Sequence, residues 1–247
     1  LFPYTTLFRS MMVIAREQGW NHVHVHSHAD SANIAMLAER LGGPSYSLTL
    51  HGPTLEGYEQ MLEGYGPNQR QKWRHARFAT VISRLLAGVV DRELAGDTPE
   101  IINIAPMGVD LDQIRRRAPW QPPAPGGPLR IFSCGRLNGV KGHDNLIETI
   151  RQLREQGLDA RLEIAGEDEQ GGLGYRRNLQ AMIDVKGLGE DVILLGAVSE
   201  SRVRDGLEHA HVFALASRNE GISVAIMEAM AMEMPVVVTD VGGNHEL

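Results

Sequence analysis

Short apolar runs alternate with amphipathic stretches along most of the chain, and this alternation predicts strands and helices in turn. Strands are predicted at residues 22–26, 46–50, 78–82, 100–104, 129–133, 161–165, 192–195, 212–215 and 236–239. The clearest helices are predicted at 29–41, 143–156, 175–186, 200–209 and 223–233, and the end of another at 11–18. Strands that alternate with helices form parallel sheets covered by helices on both faces, so the predicted fold class is α/β.

A segment rich in proline and glycine, residues 121–128, divides this pattern because it can form neither helix nor strand. We therefore predict a partial N-terminal Rossmann-like domain at 11–116, a linker at 117–128 and a partial C-terminal Rossmann-like domain at 129–247. Residues 1–10 resemble the in-frame translation of a sequencing adapter and are left out of the fold prediction. Both domains are expected to be incomplete and the fragment inactive.

Composition argues against three classes: nucleic-acid-binding proteins, disulfide-bonded proteins and proteins that span a membrane. The formal net charge of −7 argues against general nucleic-acid binding, which favours a basic surface. The single cysteine, Cys134, excludes an internal disulfide. No apolar run approaches the roughly 20 residues that cross a bilayer, so a cytoplasmic protein is expected.

Two glutamates stand out in the segment 216–240. Glu228 lies in a helical stretch that is apolar on nearly every side, where an ionised carboxylate is costly unless it is hydrogen-bonded. Glu220 lies in the turn between a strand and that helix, where ligands bind in open α/β sheets. Two carboxylates beside a helix start suit a ligand with hydroxyls and phosphates, such as a nucleotide sugar. A structural ion pair for Glu228 and a solvated turn for Glu220 explain the same residues without a ligand.

The spacing of these residues resembles a known family. Glu-Gly at 220–221, Glu-Ala-Met-Ala at 228–231, Pro-Val-Val at 235–237 and Gly-Gly-x-x-Glu at 242–246 are similar to the motif of retaining GT-B glycosyltransferases of family 4. That resemblance implies two Rossmann-like domains with parallel sheets that face a cleft. It also implies a metal-independent hexosyltransferase that uses a nucleotide-sugar donor as co-substrate and needs no cofactor. Residues 73–78, 105–110 and 164–169 are similar to enzymes of bacterial exopolysaccharide synthesis.

The resemblance assigns roles to individual residues. Arg136 and Lys141, in the glycine-rich loop that begins at Gly135, would hold the diphosphate and stabilise the leaving group. Glu228 would hold the ribose hydroxyls, and His51 would contact the transferred sugar. The remaining donor contacts are assigned to the sugar-orienting Glu220, to the helix start at Gly221, Ile222 and Ser223, and to the nucleobase loop of Gly196, Ala197 and Val198. Glu220, His51, Arg136 and Lys141 are the predicted catalytic residues, and no metal ligand is predicted.

Two other functions are open from the residues alone. His26, His28 and Asp30 match a His-x-His-x-Asp metal-ligand spacing, which predicts a metal-dependent hydrolase. Position 31 is Ser where that motif usually continues with His, and the glutamate pair would then have no explanation. A non-catalytic nucleotide-binding module would keep the phosphate-binding cations and lose the sugar-facing carboxylate, so the presence of Glu220 argues against it.

The acceptor is predicted to be a saccharide or a lipid-linked saccharide. The run 71–78 mixes basic and aromatic residues, which is also typical of peripheral docking on an anionic membrane. An ordinary helix with one face in water explains the same composition.

Overall fold

The computed structural model describes residues 5–52, 66–168 and 174–247. Each predicted strand is confirmed: β1 His22–Val25, β2 Ser45–Leu50, β3 Ala79–Val81, β4 Ile102–Ile104, β5 Leu129–Cys134, β6 Ala160–Ala165, β7 Val192–Gly196, β8 Val212–Leu215 and β9 Val236–Val238. The helices of the described part are α1 Thr5–Gln18, α2 Asp30–Arg40, α3 Gln69–Arg74, α4 Arg84–Leu94, α5 His143–Glu155, α6 Tyr175–Val185, α7 Glu200–His209 and α8 Val224–Ala231.

The strands form two sheets, and every neighbouring pair in both sheets is parallel. The first has the order β1-β2-β3-β4 and the second the order β7-β6-β5-β8-β9. In the second sheet the order reverses at β5, where the chain turns from one side of the sheet to the other. Such a reversal leaves a crevice at the carboxyl ends of the strands, so it marks where a ligand is expected.

Helices cover both faces of the second sheet. On one face, α5 and α6 bury Ile147 and Ile183 with Leu162 and Leu194 of the strands. On the other face, α7 and α8 bury Leu207 and Ile226 with Phe132 and Phe213. Gly206 of α7 contacts the Phe132 ring so closely that a Cβ there would lie 2.3 Å from Cε2 of Phe132. Burial of these side chains stabilises the unit by about 1.5–3 kcal/mol for each residue that is fully buried.

The first sheet has two faces of different chemistry. Tyr46, Leu48 and Leu50 of β2 are buried on one face, where α2 packs against β1 and β2. The alternate residues of β2 are the hydroxyl residues Ser47 and Thr49, and these bond to histidines of β1. This second face is therefore polar and hydrogen-bonded.

The chain divides into two compact units. The first unit comprises 1–107, 220–222 and 242–247, and the second comprises 108–219 and 223–241. The division differs from the one expected from the sequence in two respects. It falls at 107/108 and not at the proline-rich segment, and two short pieces of the predicted C-terminal domain belong to the first unit.

Hydrogen bonds explain why residues before the proline-rich segment belong to the second unit. The guanidinium of Arg116 donates to the backbone oxygen of Glu208, with Nη2 at 3.0 Å. The backbone N–H groups of Arg117 and Ala118 donate to the carboxylate of Glu208 at 3.1–3.3 Å. Nε1 of Trp120 donates to the backbone oxygen of His211 at 3.1 Å. The segment is thus fastened to α7 and to the start of β8.

The short pieces belong to the first unit for a similar reason. The Glu246 carboxylate accepts the backbone N–H groups of Arg84 and Leu85, both at 2.9 Å, at the N-terminus of α4. A helix N-terminus has unpaired N–H groups and a positive partial charge, so a carboxylate is favoured there. These contacts lower the pKa of the Glu246 carboxyl, although burial opposes the shift.

Helix α1 begins at Thr5 and so includes part of the segment that was left out of the fold prediction. The predicted end of a helix at 11–18 is confirmed. Among the residues described, no helix combines the length and the apolar character that a bilayer-crossing segment requires.

Candidate functional site

Three loops meet at the carboxyl edge of the second sheet. The backbone N–H of Gly135 donates to the Ala165 oxygen, and that of Gly166 donates to the Gly196 oxygen, both at 2.9 Å. Gly166 has a φ of +150°, and a Cβ on it would lie 1.9 Å from the Gly135 oxygen. Only glycine allows that approach, so these glycines fix the loops after β5, β6 and β7 relative to one another.

The loop after β5 carries the predicted phosphate-binding cations. It ends in a 3-10 turn, Gly139–Lys141, at which the Asn138 side chain accepts the backbone N–H of Lys141 at 3.2 Å. The Lys141 side chain lies over Gly135, since a Cβ on Gly135 would be 3.5 Å from Cδ of Lys141. Arg136 is exposed in the same loop. Lys141 is therefore held against the loop and does not extend freely into solvent.

The loop after β8 is fastened to this phosphate-binding loop by Arg218. Its backbone N–H donates to the Val140 oxygen at 2.7 Å, and Nη2 donates to Oδ2 of Asp144 at 2.7 Å. Its Nη1 also bonds to the Gly139 oxygen. The Arg218 guanidinium lowers the pKa of the Asp144 carboxyl, although burial opposes the shift.

Glu228 faces a pocket of about 280 Å³ within the second unit. The pocket is lined by side chains from the 108–114 segment, from the loop after β7 and from α7: Asp110, Gln113, Ile114, Cys134, Val198, Glu200, Val203, Arg204, Leu207 and Glu228. Apolar side chains form part of its wall, and polar groups form the rest: the carboxylates of Glu228, Asp110 and Glu200, the Gln113 amide and the Arg204 guanidinium. This combination suits a ligand with a flat ring and hydroxyl groups.

Glu228 is half-buried and makes no ion pair with any described residue. Burial raises the pKa of its carboxyl, the neighbouring Glu200 raises it further, and Arg204 partly offsets both. A structural ion pair therefore does not account for Glu228. The helix that carries it is also less buried than predicted, because Met230 is 45% exposed.

Cys134 connects the pocket to the phosphate-binding loop. Burial raises the pKa of its thiol to about 11; the Glu228 charge acts in the same direction and the Lys141 charge opposes it. Both charges thus act on one sulfur at the end of β5. The second unit therefore brings together four predicted site residues: Gly135, Lys141, Val198 and Glu228.

The remaining predicted donor residues of the second unit occupy their loops without reaching this pocket. Gly196 has a φ of +76°, and a Cβ there would lie 3.3 Å from Oε2 of Glu167. Ala197 is exposed. Ser223 stands at the N-cap of α8 as expected, but its side chain makes no capping hydrogen bond to the helix. Its hydroxyl is buried at the helix start.

The first unit brings together the predicted sugar-binding residues. Glu220 is only 8% exposed, so it is not a solvated turn residue. Gly221 follows it, and a Cβ there would lie 2.2 Å from the backbone oxygen of His51. The backbone N–H of Gly243 donates to the Glu220 oxygen at 3.2 Å. His51 and the segment 220–222 that includes Ile222 are thus neighbours.

The three residues of the hydrolase alternative do not converge. His28 is buried, its Nδ1 accepts the Trp73 indole N–H at 3.1 Å, and burial lowers its pKa to about 3. His26 is exposed, and its Nδ1 lies 2.9 Å from Nε2 of His51. No group of three or more His, Cys, Asp or Glu side chains in the described ranges could hold a metal. The metal-dependent hydrolase therefore receives no support.

The basic and aromatic run 71–78 has a buried face and an exposed face, which fits an ordinary helix with one face in water. Lys72 and Trp73 are fully buried, and Nζ of Lys72 donates to the His28 oxygen at 2.5 Å. Arg70 donates to the Asp97 carboxylate at 2.9 Å, and Arg74 pairs with the same carboxylate. The sequence left open which residues of this run are buried, because a buried lysine needs partners that composition does not reveal.

Sequence reasoning missed several residues at these sites. Arg204 and Gln113 line the Glu228 pocket, Arg218 fastens two loops, and His26 pairs with His51. The alternation of histidines at 22, 24 and 26 was a usable signal for the last of these. The others join segments that are far apart in the sequence, so only the structure could identify them.

Comparison with known proteins gives the family. The family model described as glycosyl transferases group 1 matches residues 114–247. A protein of Salmonella typhimurium named putative colanic acid biosynthesis glycosyltransferase WcaL is 35% identical over 203 residues, which is 80% of this chain and 47% of that protein. The protein of that name in Escherichia coli is 36% identical over the same shares. The chain thus spans about half the length of these curated relatives.

A solved structure agrees with the fold. The crystal structure of Anabaena Alr3699/HepE in complex with UDP-glucose matches with a TM-score of 0.80 and 19% identity, over 97% of this chain and 65% of that one. Together with the two parallel sheets, this likeness confirms the predicted GT-B class. Because the family model covers more than half of the residues, the chain belongs to the group 1 glycosyl transferases.

Proposed function

We propose that this chain supplies the nucleotide-sugar site of a glycosyltransferase in polysaccharide biosynthesis. The observation that carries the proposal is the pocket of Glu228, a carboxylate with no ion pair among the described residues; Cys134, which also lines the pocket, directly precedes the loop that holds Lys141. The names of the relatives support it, because WcaL is described as a colanic acid biosynthesis glycosyltransferase. The matched HepE structure is described as a complex with UDP-glucose.

In the proposed reaction Glu228 accepts hydrogen bonds from the ribose hydroxyls of the donor. Lys141 and Arg136 stabilise the negative charge that develops on the diphosphate as the sugar departs. Fixed cations can supply this stabilisation in place of a metal ion, so we propose a metal-independent reaction without a cofactor. Gly196, Ala197 and Val198 are proposed to contact the nucleobase.

Glu220 and His51 are proposed to bind the transferred sugar, with Gly221, Ile222 and Ser223 lining its approach. No described side chain is assigned as a covalent nucleophile. We propose retention of configuration because the 220–246 motif resembles that of retaining enzymes, and without a covalent nucleophile the acceptor would attack on the face from which the diphosphate departs. The acceptor is proposed to be a saccharide or lipid-linked saccharide, and the site to be cytoplasmic, with peripheral contact at an anionic membrane.

Binding of UDP and UDP-glucose to the chain tests this assignment by isothermal titration calorimetry. Glu228→Ala is expected to weaken binding about tenfold or more, equivalent to about 1.4 kcal/mol. Glu228→Gln should have a smaller effect because the amide keeps one acceptor. Glu190→Ala, at an exposed position, is the control.

Two further measurements belong to this experiment. Lys141→Met should weaken UDP more than uridine, because only UDP carries the diphosphate. Adding a chelator should leave binding unchanged. If Glu228→Ala and Lys141→Met both bound UDP as tightly as the unchanged chain, the assignment of this pocket would be wrong.

A further inference from the structure

Two histidines of the first unit are joined ring to ring. Nδ1 of His26 lies 2.9 Å from Nε2 of His51, and the ring centroids are 5.2 Å apart. His26 follows β1 and His51 follows β2, and these strands are parallel neighbours. Both rings therefore stand at the carboxyl edge of the first sheet, where ligands bind in parallel sheets.

The distance between the two nitrogens limits where protons can be. A ring nitrogen either donates through its N–H or accepts through its lone pair, so this contact contains one proton. If Nε2 of His51 donates, then Nδ1 of the same neutral ring is an acceptor. If His26 donates instead, Nδ1 of His51 carries the proton and becomes a donor. The His26 ring thus decides what the other side of the His51 ring offers a ligand.

A ladder of hydrogen bonds holds His22 and His24, the two histidines that precede His26 on the same face of β1. His22 contacts the hydroxyls of Ser45 and Ser47 at 2.9 and 2.8 Å. His24 contacts the hydroxyls of Ser47 and Thr49 at 2.6 and 2.7 Å. The edge of the His24 ring meets His26 with centroids 4.9 Å apart. The histidine rings therefore form a row along β1 that ends at His26, which contacts His51 beyond the end of β2.

The electrostatic environment favours a single proton between Nδ1 of His26 and Nε2 of His51, and it disfavours a second one there. Burial lowers the pKa of His51, and the His26 charge lowers it further. Burial lowers the pKa of His24 as well, followed by the charges on His26, His22 and His51. Within the described part of the chain, the titratable groups that act on the rings of His51 and His24 are the other histidines of this row and of the pair. A second proton on the pair would bring two N–H groups face to face.

We propose that His26 is a positioning residue that fixes the tautomer and the ring orientation of His51. His51 lies next to the Glu220 segment, because its backbone oxygen contacts Gly221. A neutral imidazole with a fixed tautomer offers a sugar hydroxyl one defined partner. A freely rotating ring would offer a mixture of donor and acceptor. The value of this arrangement for sugar transfer rests on the function proposed above, whereas the pairing itself does not.

Nitrogen-15 NMR of the imidazoles, recorded on the chain between pH 4 and pH 8, tests the pairing. In the unchanged chain one nitrogen of His51 should show the shift of a protonated nitrogen and the other that of a bare one. His26→Phe should raise the pKa of His51 and move its two nitrogen shifts towards the averaged values of a free imidazole. His26 is exposed, so the variant should fold.

Two variants keep the test falsifiable. His22→Gln alters the same row without touching His51 and should leave the His51 shifts unchanged. His26→Gln keeps a hydrogen-bonding partner that does not titrate, and it should restore a defined tautomer. If His51 had identical shifts and the same pKa in His26→Phe and in the unchanged chain, the pairing would be disproved.

Turnover of nucleotide sugar by the full chain separates this proposal from the proposed function. His26→Phe should lower kcat about tenfold and change its pH profile while the donor KM changes less than twofold, and His26→Gln should recover part of the loss. Altered His51 shifts with unchanged kcat would confine His26 to a structural role and overturn the positioning role. If the unchanged chain neither turned over UDP-glucose nor bound it, the proposed function would be contradicted, and the NMR result would still decide the pairing.

Discussion

The two sheets of this chain use polar groups in different ways. In the second unit the strands are covered on both faces by apolar side chains, and the polar chemistry lies in loops at the carboxyl edge. Glycine backbones set the shape of those loops. In the first unit polar side chains continue along a strand face, where histidines and hydroxyls bond to one another.

This difference in the use of polar groups indicates which kind of substitution should disturb each unit. A site shaped by backbone contacts is sensitive to an added Cβ, because a clash cannot be relieved by rotating a side chain. A site shaped by side-chain hydrogen bonds is sensitive to protonation and to loss of a partner. Substitutions of each kind, made in each unit, can break or sharpen this contrast.

The largest effect is expected for Gly166→Ala in the second unit. The added Cβ would lie 1.9 Å from the Gly135 oxygen, at a φ of +150° that other residues rarely adopt. The loss of stability should be about 3 kcal/mol or more, from backbone strain and overpacking together. Urea unfolding measures it, with Gly189→Ala as the control because a Cβ there meets no atom within 4 Å. Equal stability of the two variants would contradict backbone control of this edge.

Acid should destabilise the folded chain through one buried histidine in each unit. Burial lowers the pKa of His28 to about 3 in the first unit and of His143 to about 4 in the second, from an ordinary value of 6.5. Between those values the unfolded chain binds the proton and the folded chain does not, so stability falls as pH drops from about 6.5. Each group adds a slope of up to about 1.4 kcal/mol per pH unit.

Urea unfolding measured from pH 7 to pH 4 checks this dependence. His28→Gln and His143→Gln should each flatten the slope in their own unit. His209→Gln, at an exposed position, should leave the slope unchanged. A slope that is the same in all four proteins would show that neither buried imidazole controls acid stability.

The smallest effect is expected at two helix ends, one in each unit, where a residue other than glycine has a positive φ. Glu233 after α8 and Ala95 after α4 have φ values of +54° and +43°, in the left-handed region that favours glycine. Glu233→Gly and Ala95→Gly should each stabilise the chain by about 0.5–1 kcal/mol, as melting temperature would report. Gln156→Gly, at a helix end with a φ of −80°, should not stabilise.

The sequence was sufficient for the fold, and it located part of the candidate site. Strands and helices followed from the apolar pattern because each element is long enough to show its own period. The loop of Lys141 and the helix of Glu228 followed from motif spacing. Which residues of the run 71–78 are buried could not be predicted, because burial of Lys72 depends on contacts with His28, far away in the sequence.

The division into units could not be predicted for the same reason. The proline-rich segment gave a correct break in regular structure but not the boundary, which depends on bonds between Glu208 and residues 116–118. Likewise, nothing local in the sequence says that Glu246 binds the start of α4.

The order in which the chain visits its two units has a practical consequence. Between Asn219 and Gly242 the polypeptide leaves the second unit for three residues, returns to it, and leaves again. No single scission therefore yields two intact pieces. A polypeptide that stopped after the proline-rich segment would lack Glu220 and the Glu246 carboxylate that binds α4. Ligand binding to either unit should therefore be measured on the whole chain.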